Sequence, residues 1–195
     1  MCGYIKSIDT DTKFVILMHP KEFKKVKNNT GFFTHLSLSN SEVFIGIDFS
    51  NHSKINEIID THDSYILFPS ENAVNLSESN PKKSKKPLAI FLIDSTWACT
   101  RKIFESSTNL RMLKHMSFST DRTSQYEIKE QPKSNYLSTI ESTLVVVELL
   151  NHWGIEKNSA ESLDQFLTPF FKMIEYQKDL ISNSSSYTVR FKRHK

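Results

Sequence analysis

Residues 87–102 read Pro87-Leu88-Ala89-Ile90-Phe91-Leu92-Ile93-Asp94-Ser95-Thr96-Trp97-Ala98-Cys99-Thr100-Arg101-Lys102. An unbroken apolar run after a proline reads as a strand buried on both faces. From Thr96 to Glu105 the pattern turns helical, with Trp97, Thr100 and Phe104 at spacings of three and four. A doubly covered strand that feeds a helix is the building unit of a parallel α/β sheet. Asp94 stands where the strand ends and the helix begins. Ligands of open α/β sheets bind outside the carboxyl ends of the strands. A carboxylate there also caps the free N–H groups of a helix. Position alone leaves both readings open for Asp94.

Working outward, the spacing predicts further strands over residues 13–18, 42–47 and 64–68. The first ends at His19-Pro20, where the proline cannot extend a ladder. Shorter strands are expected over 116–118 and 126–129. Helices are expected over 32–38, 53–61, 138–153 and 160–180. The 138–153 helix opens on Ser138 and Glu141, the S-x-x-E capping box, and closes on Gly154. Asn28-Asn29-Thr30-Gly31 carries a turn signal, and residues 77–86 form an exposed Ser/Lys loop. Strands that alternate with helices imply an α/β fold: a largely parallel sheet covered by helices on both faces. One domain spans 1–186, followed by a basic tail over 187–195.

The 195 residues suffice for one full core. Only four glycines argue against repeated glycine-rich phosphate loops. No apolar run approaches the roughly 20 residues of a membrane span, and Lys6, Asp9 and Asp11 interrupt any leader-like start. A cytoplasmic protein is expected, monomer or homodimer. Cys2 and Cys99 supply neither a disulfide framework nor a zinc site, and Cys99 is expected to be a buried free thiol. Net charge is only +3, yet it is clumped. Lys21, Lys24, Lys25 and Lys27 form one cluster, Lys82, Lys83, Lys85 and Lys86 a second, and Arg190, Lys192, Arg193, His194 and Lys195 a third. Such clusters bind phosphate backbones or are simply solvated.

Five ordered segments resemble the DTW-domain family: Leu17-Met18-His19-Pro20-Lys21-Glu22; Asn28-Asn29-Thr30-Gly31; Leu67-Phe68-Pro69-Ser70; Asp94-Ser95-Thr96-Trp97 with Arg101-Lys102; and Gln131-Pro132 with Leu137-Ser138-Thr139-Ile140-Glu141. The resemblance implies a SPOUT-like fold with a C-terminal trefoil knot. It implies a tRNA-uridine aminocarboxypropyltransferase that uses S-adenosylmethionine as donor and forms acp3U. It also implies that Leu67, Phe68, Pro69, Ser70, Asp94, Thr96, Trp97, Leu137, Ser138 and Thr139 hold the cofactor. Asp94 is the catalytic candidate, as proton acceptor at uridine N3 or as anchor for the cofactor's ammonium group. Lys24, Lys25, Arg101, Lys102 and the 82–86 lysines are candidates for contact with tRNA. Ordinary roles stand beside these: a core position for Trp97, a helix-start hydroxyl for Thr96, a buried histidine for His19, an exposed helix face for Arg101 and Lys102. The cysteine cluster that many members carry before the first strand is represented here by Cys2 alone, so zinc is not expected. The competing readings are aminocarboxypropyl transfer to rRNA, a SPOUT-type methyltransferase, and a cofactor-free RNA-binding module.

Overall fold

The computed structural model describes residues 2–25, 29–81, 84–128 and 136–182, apart from the side chains of Cys2, Lys24, Lys25 and Trp97. Six strands form one all-parallel sheet: β1 (Lys13–Met18), β2 (Ser41–Ile45), β3 (Asp63–Leu67), β4 (Val74–Asn75), β5 (Leu88–Asp94) and β6 (Lys114–Ser117). Their order is β2-β1-β5-β3-β6-β4. The helices are α1 (Pro20–Lys25), α2 (Thr30–Leu36), α3 (Ser53–Thr61), α4 (Trp97–Ser106), α5 (Thr108–Arg111), α6 (Thr139–His152), α7 (Ala160–Phe166) and α8 (Thr168–Ser182).

The continuous apolar runs of β1 and β5 are two interleaved faces. Phe14, Ile16, Tyr65, Ile90 and Leu92 pack with Phe33 of α2, Ile140 and Val147 of α6, and Phe170 of α8. Val15, Leu17, Ile66, Ala89 and Phe91 pack on the other face with Ile55 and Ile58 of α3, Ile103 of α4 and Leu110 of α5. Each fully buried side chain of this size contributes about 1.5–3 kcal/mol. Alternation along β5 puts Asp94 in the series of Ile90 and Leu92. Its side chain is therefore directed to the layer of α2 and α6.

Helix α6 crosses that layer from one edge of the sheet to the other. Its Leu144-Val145-Val146-Val147 run favours strand by composition, but its start is fixed as a helix. The Ser138 N–H donates to Glu141 Oε2 at 2.8 Å, the reciprocal half of a capping box. At its other end Gly154 adopts φ +71°, the left-handed conformation of a C-cap. Beyond it, Glu156 accepts the N–H groups of Asp11 (3.1 Å) and Thr12 (2.7 Å), just ahead of β1. Fourteen residues of helix span about 21 Å, close to the ~20 Å of a six-residue strand. The carboxyl end of α6 is thus tied to the amino edge of the sheet, and its start lies at the carboxyl edge.

Four expectations need correction. The helix expected over 160–180 is two, because Pro169 lacks an N–H and its ring clashes with the preceding turn. Tyr126, Glu127 and Ile128 form no strand; their segment is a loop, held where Glu141 accepts the Ser124 hydroxyl (2.9 Å) and the Gln125 N–H (2.7 Å). Asn29-Thr30-Gly31 is not a turn but the start of α2, since the Asn29 Oδ1 accepts the Phe32 N–H at 2.8 Å as an N-cap. Cys99 is free but only half-buried. Strand β4 carried no signal, because two residues cannot show a period. No helix among the described residues is long and apolar enough to cross a membrane. Asn28, Lys82, Lys83, Gln131, Pro132 and the 187–195 tail lie outside the described residues.

Candidate active site

The chain leaves β1 through α1 and α2 towards β2 on one side. It leaves β5 through α4 and α5 towards β6 on the other. Strand order therefore reverses between β1 and β5, and a crevice opens outside their carboxyl ends. Met18 and Asp94, the last residues of the two strands, are register partners. A cleft of about 390 Å³ occupies this crevice, a size in the range of small-ligand sites.

Asp94 lies on its wall, 4% exposed. Its Oδ1 accepts the hydroxyls of Thr30 (3.2 Å) and Thr139 (2.6 Å). These are the opening residues of α2 and α6, so two helix starts converge on one carboxylate. The start of α6 also brings a dipole that favours an anion. Gly31 makes the approach feasible: a Cβ there would stand 2.5 Å from Asp94 Oδ2 and 2.6 Å from its carboxyl carbon. The N-cap of α4 is Thr96, not Asp94, and Asp94 serves the cleft instead.

The floor and walls divide by chemistry. Leu67, Phe68, Pro69, Leu92, Ile93 and Leu137 form the apolar part. Phe68 is fixed by stacking on Phe104 (centroids 4.9 Å, 6°), with His115 edge-on to both rings. The polar part comprises Glu22, Asn29, Thr30, Asp94, Ser95, Thr96, Thr100, Tyr126, Ser138, Thr139 and Ser142. Burial pushes the Tyr126 phenol up to about 12, helped by the charges of Asp94, Glu22 and Glu141. Tyr126 is therefore a neutral hydrogen-bond donor at physiological pH.

The structure brings Leu67, Phe68, Pro69, Asp94, Thr96, Leu137, Ser138 and Thr139 to this one cleft. Ser70 is exposed and does not line it. The backbone of Trp97 opens α4 beside the cleft, and its side chain lies outside the described residues. Lys102 and Arg101 are exposed on α4, which starts at the cleft, and Arg101 pairs with Glu105 at 2.7 Å. Lys24 and Lys25 end α1, also on the cleft side. Lys85 and Lys86 precede β5 and so sit at the opposite edge of the sheet, where Lys86 Nζ donates to the Asp60 carbonyl at 2.5 Å. His19 is buried outside the cleft lining, and its Nδ1 accepts the Lys21 N–H at 3.1 Å, which makes it the cap of α1. Burial first, and Lys21 next, lower its pKa, so the ring is neutral. Glu22, Thr30, Gly31, Tyr126 and Ser142 were not singled out from sequence. The first three lie inside the quoted motifs, but nothing in the sequence signals Tyr126 or Ser142. Among the described residues no three His, Cys, Asp or Glu side chains gather as metal ligands.

A family profile described as "DTW domain" matches residues 1–178. Three curated proteins named tRNA-uridine aminocarboxypropyltransferase 2 are similar to the chain. The Mus musculus protein is 29% identical over 182 residues, 91% of this chain and 59% of that protein. The Drosophila melanogaster protein is 29% identical over 173 residues, 86% and 65%. The Macaca fascicularis protein is 29% identical over 164 residues, 82% and 53%. The chain thus spans less than two thirds of the length of these relatives.

Proposed function

The chain belongs to the DTW-domain family, and from that premise we propose that it transfers the 3-amino-3-carboxypropyl group of S-adenosylmethionine to N3 of a uridine in tRNA. The products are acp3U and methylthioadenosine. The observation that carries this proposal is Asp94, buried at the switch point of a parallel sheet and held by Thr30 and Thr139 from two other motif segments.

The cleft fits the donor. Leu67, Phe68, Pro69 and Leu137 offer the apolar slot an adenine needs. The start of α6 at Ser138 and Thr139 suits a carboxylate, and Asp94 suits an ammonium group. When bound, the donor supplies a methylene already activated by its sulfonium, whose leaving group departs as a neutral thioether, so no acid is required. The work left to this chain is to hold the two reactants in line, to exclude water, and to receive the weakly acidic N3 proton. Asp94 suits either role named for it, proton acceptor or ammonium anchor. A SPOUT-like chain path with a C-terminal trefoil knot belongs to the same proposal. Lys24, Lys25, Arg101 and Lys102 supply tRNA phosphate contacts on the cleft side, Lys85 and Lys86 supply more distant ones, and Lys82 and Lys83 belong to the same basic cluster of the sequence.

Nucleoside mass spectrometry of tRNA from cells with and without the gene tests this. The expected result is acp3U that disappears with the gene. Loss of a methylated nucleoside instead would establish a methyltransferase. Calorimetry that detects no S-adenosylmethionine binding at millimolar concentration would favour a cofactor-free RNA-binding module.

A further inference from the structure

We propose that the two carboxylates of the cleft divide the work, Asp94 binding the donor's ammonium group and Glu22 taking the N3 proton of the uracil. This rests on aminocarboxypropyl transfer being the reaction, and it assigns one of the roles left open there. A base for this step needs an uncommitted lone pair, contact with the cleft, and a route by which the proton reaches water after each turnover.

Asp94 is poorly placed for such traffic. It is 4% exposed, its Oδ1 takes two threonine hydroxyls, and its Oδ2 lies against the Gly31 backbone. Hydrogen bonds of this kind stabilise a fixed anion. A fixed anion is what a cationic ligand requires.

Glu22 has the complementary properties. It lies in the first turn of α1, lines the same cleft and is half-buried, so one side of it reaches solvent. Among the described residues no hydrogen bond or ion pair holds its carboxylate. Its charge is felt by Tyr126, which lines the same cleft, and by His19, the cap of its helix. Among the described side chains, Tyr126 feels Asp94 on β5 and Glu141 on α6 as well as Glu22, and His19 feels Lys21 and Lys102 of α4 as well as Glu22. The phenol of Tyr126 remains a donor. A uracil presents an acceptor oxygen on each side of its N3–H, so an acceptor beside a neutral donor is the pair that reads this edge.

The step balances. The proton passes from N3 to a Glu22 oxygen, the N3 lone pair forms the new C–N bond, and the C–S bond breaks with its pair kept by sulfur. Glu22 then releases the proton to water, and the positive charge of the sulfonium is accounted for by that proton.

The test compares Glu22→Gln and Asp94→Asn in the whole chain, by calorimetry with S-adenosylmethionine alone and by turnover on tRNA against pH. Glu22→Gln is expected to bind the donor within about twofold of the unaltered chain. It should lose turnover by roughly 10²–10⁴-fold, together with the acid limb of the pH profile. Asp94→Asn is expected to lose donor affinity by about tenfold or more. A Glu22→Gln chain with full turnover and an unchanged acid limb overturns the assignment while the reaction stands. So does one whose only defect is donor affinity. An unaltered chain that forms no acp3U overturns the reaction itself, and the assignment with it.

Discussion

Glu156 and Asp94 are carboxylates of nearly equal burial, 3% and 4% exposed, at opposite ends of one sheet. Glu156 is held by two consecutive main-chain N–H groups ahead of β1. Asp94 is held by two side-chain hydroxyls beside a cleft. Main-chain donors are fixed by the fold, so the Glu156 contact adds to stability and has no free end to offer a ligand. Threonine hydroxyls rotate, and they sit at the rim of a space a ligand can enter. Burial alone does not separate these two carboxylates; the donors that hold each one and the cleft beside Asp94 do.

The sharpest way to break this comparison is to remove each carboxylate in turn. If the proposed function holds, Asp94→Ala is expected to reduce transfer by more than about a thousandfold, through loss of the charge assigned to organise the reaction. Its melting temperature should hold, because the freed hydroxyls of Thr30 and Thr139 can turn to cleft water. Glu156→Ala is expected to do the reverse: normal turnover at 25 °C, with a loss of about 1–3 kcal/mol, chiefly from the buried Thr12 N–H left without an acceptor. For a chain of this size that is a fall of roughly 2–10 °C. Thermal melts and turnover on both variants check it, and a destabilised Asp94→Ala with retained activity would erase the distinction.

A smaller effect is expected at Gly31. An alanine methyl there would stand 2.5 Å from Asp94 Oδ2 and 2.6 Å from its carboxyl carbon, against a side chain that is held in place. Asp94 must shift, so donor affinity should fall by about tenfold with little change in stability, read by calorimetry. Affinity equal to the unaltered chain would show that the Asp94 position is not critical.

The smallest effect concerns pH. Burial holds His19 below its ordinary value, so the folded state binds the proton less readily than the unfolded chain. Its contribution is complete above about pH 6.5, the ordinary histidine value, and is lost as the pH falls from there towards the lowered folded value. Melts from pH 7.5 to 5.5 should show a shallower decline in His19→Asn, which keeps an acceptor for the Lys21 N–H. Equal slopes would remove His19 from the pH response.

What could be read from sequence follows from how local each signal is. The β5 run, the end of β1 at His19-Pro20, the α3 bounds and the caps of α6 are written in neighbouring residues, and all were legible. Asp94 at a strand end was legible, and so were eight of the seventeen residues that line the cleft. Its hold by Thr30 and Thr139 was not, because those partners are 64 and 45 residues away. Tyr126 alternates with its neighbours like a strand residue, yet side-chain bonds to Glu141 shape its segment. The break at Pro169 was masked by an apolar face, Leu163, Phe166, Phe170 and Ile174, that continues across both helices.

The three residues that meet at the Asp94 carboxylate arrive from the beginning, middle and last third of the chain. Contacts between such distant partners must await closure of long loops. A nascent or clipped chain that ends before Thr139 therefore has the sheet's central strands but only two thirds of the clasp. On the proposed function, competence for transfer is in this sense a proofreading mark: it would arise only in molecules whose polypeptide has been made through α6 and seated along its whole length.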